Sequence, residues 1–455
     1  MMLDTICYWH VTRHGAALLA AFVLAGSANA LDLLGAYRIA VGADPNYLAA
    51  RATADAAREA LPQAKAGLLP QFSASAARSR NNTDQTTQGT LGGPNLTRSF
   101  DYAAKSSSLN FRQPLVRLSN LASYYGAEAQ VAAADATLEK DFQALALRLT
   151  SVYFDVLVAR EKLSSVTTQK EAYVGQLAAA ERLVATGFGT RIEIDETKAR
   201  LDITGAQEID ERRNLDVAER SLSGVLNQRI QSGVLARIDT ARLKLEMPRE
   251  ADLTVWIALA EEKNPELRAM RANIEVAERE VDKGRAAHLP TLDLVASLSN
   301  NDSDSNNIIG SKYVTSSVGV QISIPLFAGG QIDSTVRQAR ANLEKARQQY
   351  EAGRRQLEVE VAKEFGAVQQ GIARVRALEQ ALRSSEQALL SSRKGVEAGT
   401  RNSIDVLNAL QQISSVQYEL AKARYNYALD RLRLKFAAGT LGEEDIVETN
   451  GWMSH

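Results

Sequence analysis

Two stretches of the chain alternate apolar and polar residues with a period of two. In "TLDLVASLS", Leu292, Leu294, Ala296 and Leu298 share one side, opposite Asp293, Ser297 and Ser299. In "VTSSVGVQISI", Val314, Val318, Val320, Ile322 and Ile324 lie opposite Thr315, Ser317, Gly319, Gln321 and Ser323. Such a split predicts two strands, each apolar on one face only. A weaker pair precedes them, "FSASAARS" and "SSSLNFRQ", with Leu109 and Phe111 on one face. Polar loops are expected between the partners, over 81–98 and 300–312. Elsewhere the period is helical. All nine prolines lie between Pro45 and Pro325, and none interrupts 116–247 or 326–455. A proline inside a helix costs about 3 kcal/mol, so these stretches suit very long helices. In the second, Ile332, Ala339, Ala346 and Gly353, with Val336, Leu343, Tyr350 and Leu357, form a seven-residue seam of the kind that supercoils.

The chain is written twice. Pro45 and Pro70 recur as Pro265 and Pro290, and "FRQPL" recurs as "ISIPL". "GTRIEID" from Gly189 recurs as "GTRNSID" from Gly399. The reading is a leader over 1–30, a first repeat over 31–248 (helix, strand hairpin, long helix, tip, return helix), and a second over 249–455 with the same plan plus a short C-terminal segment.

Composition narrows the function. A net charge of −1 gives no reason to expect nucleic acid. The run "GAALLAAFVLAG" followed by "SANA", with Ala28 and Ala30 at the small positions, reads as a signal peptide cleaved after Ala30. The one cysteine, Cys7, lies inside it and is not placed for lipidation, so an unlipidated exported protein without disulfides or thiolate metal sites is expected. No later apolar run is read as a membrane-spanning helix. The histidines, His10, His14, His288 and His455, show no metal spacing. Ser403 has no base beside it in the sequence, and no P-loop is present. An enzyme, a metal centre and a cofactor are therefore not expected.

An exported chain with half-apolar strands and no spanning helix fits a β-barrel, apolar side to lipid and polar side to a water-filled lumen. Tyr313 and Phe327 are expected at the aromatic belt. A soluble hairpin is the competing reading. Four strands cannot close a barrel, so copies of the chain must pool theirs.

The duplicated plan, "LLPQFSAS" opening the first strand, "SIPLFAGG" closing the last, and the two Gly-Thr-Arg phrases resemble the TolC family of outer-membrane exit ducts over nearly the whole mature chain. The resemblance implies an α+β membrane protein: a homotrimer with a twelve-stranded barrel in the outer membrane, continuous with a long periplasmic α-helical barrel. A mixed belt around the helices would take 227–248 and the chain after Phe436. The phrases would be hairpin tips, with Gly189, Thr190, Arg191, Gly399, Thr400 and Arg401 contacting an adaptor. Gly189 and Gly399 are expected to reverse the chain, with positive φ. Arg401 matches a gate arginine, Asp195 its acidic partner and Asp405 a pore-lining acid. Arg191, Arg401, Asp195 and Asp405 are expected to come within pairing distance where three chains crowd. The family pattern is departed from at Asn408, a second acidic-ring position, at Val396, a gate tyrosine position, and at Ile194. The implied partners are a periplasmic adaptor, an inner-membrane ABC or proton-driven transporter, and outer-membrane lipid. The function expected is an exit duct for type I protein secretion. Small-molecule efflux is the alternative, and a non-conducting coiled-coil envelope protein the second.

Overall fold

The computed structural model describes residues 31–88, 93–187, 189–247, 252–305 and 308–454, with the side chains of 303–310 left aside. The leader reading, with Cys7, Ala28 and Ala30, lies outside these residues, as do His455 and the boundary between Pro248 and Arg249.

The elements follow the duplication. Short helices α1 (Leu33–Ala43), α2 (Pro45–Arg58) and α3 (Ala60–Ala66) lead into β1 (Gln71–Thr87) and β2 (Leu96–Val116). Helices α4 (Leu118–Ala185) and α5 (Arg191–Leu226) follow. The second half repeats this as α6 (Leu253–Lys263), α7 (Pro265–Ala286), β3 (Thr291–Ser305), β4 (Ile308–Ser323), α8 (Gln331–Glu397) and α9 (Ser403–Ala437), then adds α10 (Glu443–Asn450). The caps repeat too. Asp32 and Asp252 cap α1 and α6, and Asp44 and Asn264 cap α2 and α7, each accepting from backbone N–H groups of the first turn ahead of Pro45 or Pro265 where a proline follows.

The strands form one antiparallel sheet in the order β1-β2-β3-β4. The register carries an apolar stripe across all four. Phe72 faces Phe111, Phe111 faces Ala296, and Ala296 faces Val318. One row along, Ala74, Leu109 and Leu298 align. The opposite face aligns Ser73, Asn110, Ser297 and Ser317. Its hydroxyls bond across strands, Ser75 to Ser108 and Ser297 to Ser317, both at 2.8 Å. Both expected loops are shorter than the sequence suggested. β1 and β2 run on through Thr87 and from Leu96, and β3 and β4 through Ser305 and from Ile308. Backbone pairing does not require an apolar face, and Arg80–Asp101 and Thr86–Thr97 pairs fasten the extension. Tyr313 is also corrected. It shares the parity of Thr315 and faces Asn301, so it stands on the polar face and not in a lipid-side belt.

At about 1.5 Å per residue, the 68 residues of α4 and 67 of α8 each reach roughly 100 Å. Near the sheet the wall runs α2/α3, α4, α7, α8. Arg58 bridges Asp135 at 2.7 Å, Lys140 bridges Glu266 at 3.0 Å, and Arg347 bridges Glu278 at 3.0 Å. The seven-residue seam of α8 faces α7: Gly284 lies against Val336, and an added Cβ at Gly353 would lie 2.6 Å from the Met270 sulfur, which would have to shift. Farther from the sheet the order becomes α5, α4, α9, α8, joined by Lys170–Glu208 at 2.7 Å, Ser165 Oγ to the Ser414 carbonyl at 3.1 Å, and Arg374–Glu419 at 3.0 Å. α4 contains one stretch long and apolar enough to cross a membrane by composition, which the sequence reading did not anticipate. Half of it is buried inside this wall, which accounts for its apolar character as helix packing.

The wall changes partners halfway along, at a belt. Leu145, Leu149, Tyr153 and Leu157 of α4 pack with Leu33 and Tyr37, with Leu235 and Ala236, and with Ile446, Trp452 and Met453. The belt thus contains the segments expected after Asn227 and Phe436. A second cluster joins Trp256 to Val361, Val368, Tyr427 and Leu434. Here the end of α9 meets the start of α7. Asn264 Nδ2 donates to the Ala437 carbonyl at 2.9 Å, and Gly439, at φ 70°, presses on the backbone of Lys263 and Asn264. Burial raises the carboxyl of Asp155 above its ordinary range. It does the same for Asp430, partly offset by Arg433.

Candidate functional site

The long helices pair into two hairpins, and their tips lie far from the sheet. At the first, α4 closes with Gly187 at φ 79°, which donates to the Val184 carbonyl. Thr190 then caps α5 in a reciprocal box with Glu193. At the second, α8 closes with Gly399 at φ 72°, donating to the Val396 carbonyl. Asn402 caps α9 in a reciprocal box with Asp405. The structural repeat is therefore Gly187 to Gly399, Thr190 to Asn402 and Glu193 to Asp405.

This register corrects the one suggested by matching letters. The two Gly-Thr-Arg phrases are two residues out of step with the folded tips. Gly189 does not have the positive φ expected of it; Gly187 does. Gly189 serves instead at a close approach, where an added Cβ would lie 2.8 Å from the Val184 nitrogen. Thr190 is a cap, whereas Thr400 folds back, its hydroxyl donating to the Gly395 carbonyl at 3.1 Å. Arg191 opens α5, and Arg401 precedes the cap of α9. The usable signal was the pair of boxes T-x-x-E and N-x-x-D.

Arg401 lies over Gly395, and its Nη1 donates to the buried Ser392 Oγ at 3.0 Å. Among the described residues of one chain it meets no carboxylate. Asp195 and Arg191 are exposed and unpaired there, and Asp405 is engaged in its box. The structure brings together two pairs that sequence reasoning missed. Ser403 Oγ donates to Glu193 Oε1 at 3.2 Å, and Arg200 Nη1 donates to Asn408 Oδ1 at 2.9 Å. These bonds tie the two return helices side by side. Ser403 thus has a carboxylate neighbour after all, but Glu193 already accepts from the Thr190 amide, and among the described residues no third group orients the pair. Val396 is exposed at the second tip, and Ile192 is 73% exposed at the first.

A sheet greasy on one face and polar on the other, carried on helices about 100 Å long with polar tips, defines an outer-membrane channel protein that reaches into the periplasm. The chain belongs to the outer membrane efflux protein family, whose model matches residues 36–228 and 256–440. It is 33% identical to the proteases secretion protein PrtF of Dickeya chrysanthemi, over 94% of this chain and 92% of that one. It is 34% identical to the alkaline protease secretion protein AprF of Pseudomonas aeruginosa, over 93% and 88%. The fold superposes on the Campylobacter jejuni CmeC outer membrane channel with a TM-score of 0.78 at 17% identity, covering 94% of this chain and 91% of that one. The resemblance read from the sequence is borne out, and the chain is an outer-membrane exit duct protein.

Proposed function

We propose that three copies close a twelve-stranded barrel and a helical barrel four helices per chain around, and that this trimer is the outer-membrane duct of a type I protein secretion system. One observation carries the reading: the sheet is linear, its two outer edges are unpaired among the described residues, and one stripe of apolar side chains runs across all four strands. An open edge cannot face lipid, because its N–H and C=O groups would have no partner. Four strands are too few to close alone, and three copies supply a number well within the range of known barrels. The polypeptide cargo is supported by the two protease secretion relatives. Energy would come from an inner-membrane transporter, reached through a periplasmic adaptor that docks at Gly189, Thr190, Arg191, Gly399, Thr400 and Arg401. Asp195, Arg401, Asp405 and Asn408 would form the closed gate at the periplasmic end. Arg401, which meets no carboxylate among the described residues of its own chain, is available to Asp195 of a neighbour. The division into repeats at 31–248 and 249–455 belongs to this reading.

The test is single-channel conductance of the purified oligomer in a planar bilayer, wild type beside Arg401→Ser. Small steps for the wild type and clearly larger ones for the variant are expected. Equal steps would move the gate away from Arg401, and no steps from a membrane-inserted oligomer would refute the duct. Restored protease export in a strain lacking its own duct tests the cargo. Restored drug resistance without export would favour small-molecule efflux.

A further inference from the structure

The apolar face of the sheet ends abruptly, at the end remote from the helices, in a row of charges. Arg78 faces Lys105, Lys105 faces Asp302, and Asp302 faces Lys312. These positions keep the parity of Phe72, Leu109, Leu298 and Val314, so they stand on the side turned to lipid. Val314, 66% exposed, lies two residues from Lys312. With strands about 4.8 Å apart, the row is roughly 14 Å long. It holds three cations against one carboxylate, and none of the four forms an ion pair or hydrogen bond among the described residues. Like charges directly opposite each other across strands destabilise a sheet, so Arg78 beside Lys105 gains nothing from the fold itself. One step farther out, Arg80 and Asp101 lie on the same side and neutralise each other at 2.5 Å. Closing the ring would bring β4 of one copy beside β1 of the next, placing Lys312 and Arg78 on adjacent strands.

We infer that Arg78, Lys105 and Lys312 form a seat for phosphate-bearing lipid headgroups of the outer leaflet. The height fits. From Ile324 to Lys312 the strand climbs about 40 Å, or about 30 Å along the membrane normal at a typical tilt, which is the thickness of a hydrocarbon core. The cations therefore sit at the headgroup level, where each Lys or Arg attracts anionic lipid by about 1 kcal/mol, roughly fivefold in affinity. Paired phosphate oxygens suit the arginine fork, and the flanking lysines act as point charges. Asp302 tempers the site.

The inference rests on the sheet being a lipid-facing barrel, and the experiment separates the two. The full-length oligomer is placed in phosphatidylcholine vesicles, and spin-labelled phosphatidylcholine or phosphatidic acid is added in trace amounts. A motionally restricted phosphatidylcholine component reports the barrel itself, and its absence would refute that reading. The seat predicts that phosphatidic acid is restricted at least about fivefold more strongly than phosphatidylcholine. Arg78→Gln with Lys105→Gln and Lys312→Gln should bring the ratio to about one. Asp302→Asn should raise it above wild type, an outcome that misfolding cannot imitate. Equal restriction of both lipids by the wild type, or a preference that survives the triple substitution, would overturn the inference.

Discussion

Gly439→Ala is expected to damage the joint between α9 and α7 far more than a single methyl group suggests. Gly439 sits at φ 70°, where a side chain costs about 1–2 kcal/mol. The new Cβ would lie 2.5 Å from Asn264 Cα, 2.6 Å from the Lys263 carbonyl and 2.8 Å from the Asn264 nitrogen. All three are backbone atoms, so relief requires moving the corner between α6 and α7. That motion also strains the Asn264–Ala437 bond and the bond from Gln143 Nε2 to the Gly439 carbonyl at 3.2 Å. Overpacking of this kind costs about 1–3 kcal/mol, so the total is about 2–5 kcal/mol per chain. The assay is loss of helical circular dichroism on heating in detergent, with Gly175→Ala as control. Gly175 lies in a helix with open space around it, and alanine there should be neutral or stabilising by up to about 1 kcal/mol. A Gly439→Ala protein melting within a degree of wild type would refute the view that this contact sets the joint.

Two further outcomes follow from the sheet and the belt. In the proposed barrel, Val318→Arg turns a cation to lipid and should reduce insertion into the outer membrane, at a cost of about 2–4 kcal/mol per chain near mid-bilayer. Ser317→Arg, one residue away on the polar face, should insert normally and lower conductance; membrane fractionation of the two checks the assignment of faces, and equal insertion would contradict it. Burial raises the Asp430 carboxyl in the folded chain, so its protonated form is favoured there. The stability this lends is complete below the ordinary aspartate range and is lost as pH rises through the raised value. Asp430→Asn should therefore melt higher than wild type at neutral pH and close to it at acid pH, and a midpoint lower than wild type at pH 7 would show that its bond to Arg433 at 3.0 Å outweighs burial.

Much of the architecture was legible because its signals are periodic. The alternation through Leu292–Leu298 and Val314–Ile324 marks strands whatever they pack against, and the absence of proline after Pro325 marks long helices. What escaped was set by backbone geometry. The strands outrun their apolar alternation because ladder bonds pair polar residues equally well, as at Thr86 and Thr97. The tips were located but misaligned. Shared letters favoured Gly189 with Gly399, while the chain reverses at Gly187 and Gly399, as helix ends require. The ties between Glu193 and Ser403, and between Arg200 and Asn408, join residues more than 200 positions apart and leave no local mark. The charged row was missed for the opposite reason: Arg78, Lys105 and Lys312 are unremarkable until the register aligns them.

In the ring proposed above, the two sheet edges left unpaired among the described residues have a genetic consequence. A chain whose edge strand is spoiled, for example by a proline in the middle of β4, can still offer its intact β1 edge to a normal neighbour. It would enter a ring and leave it unable to seal. Such an allele would act dominantly, removing normal chains from use in a cell that also carries a sound copy of the gene. An allele that produces no chain at all would be recessive.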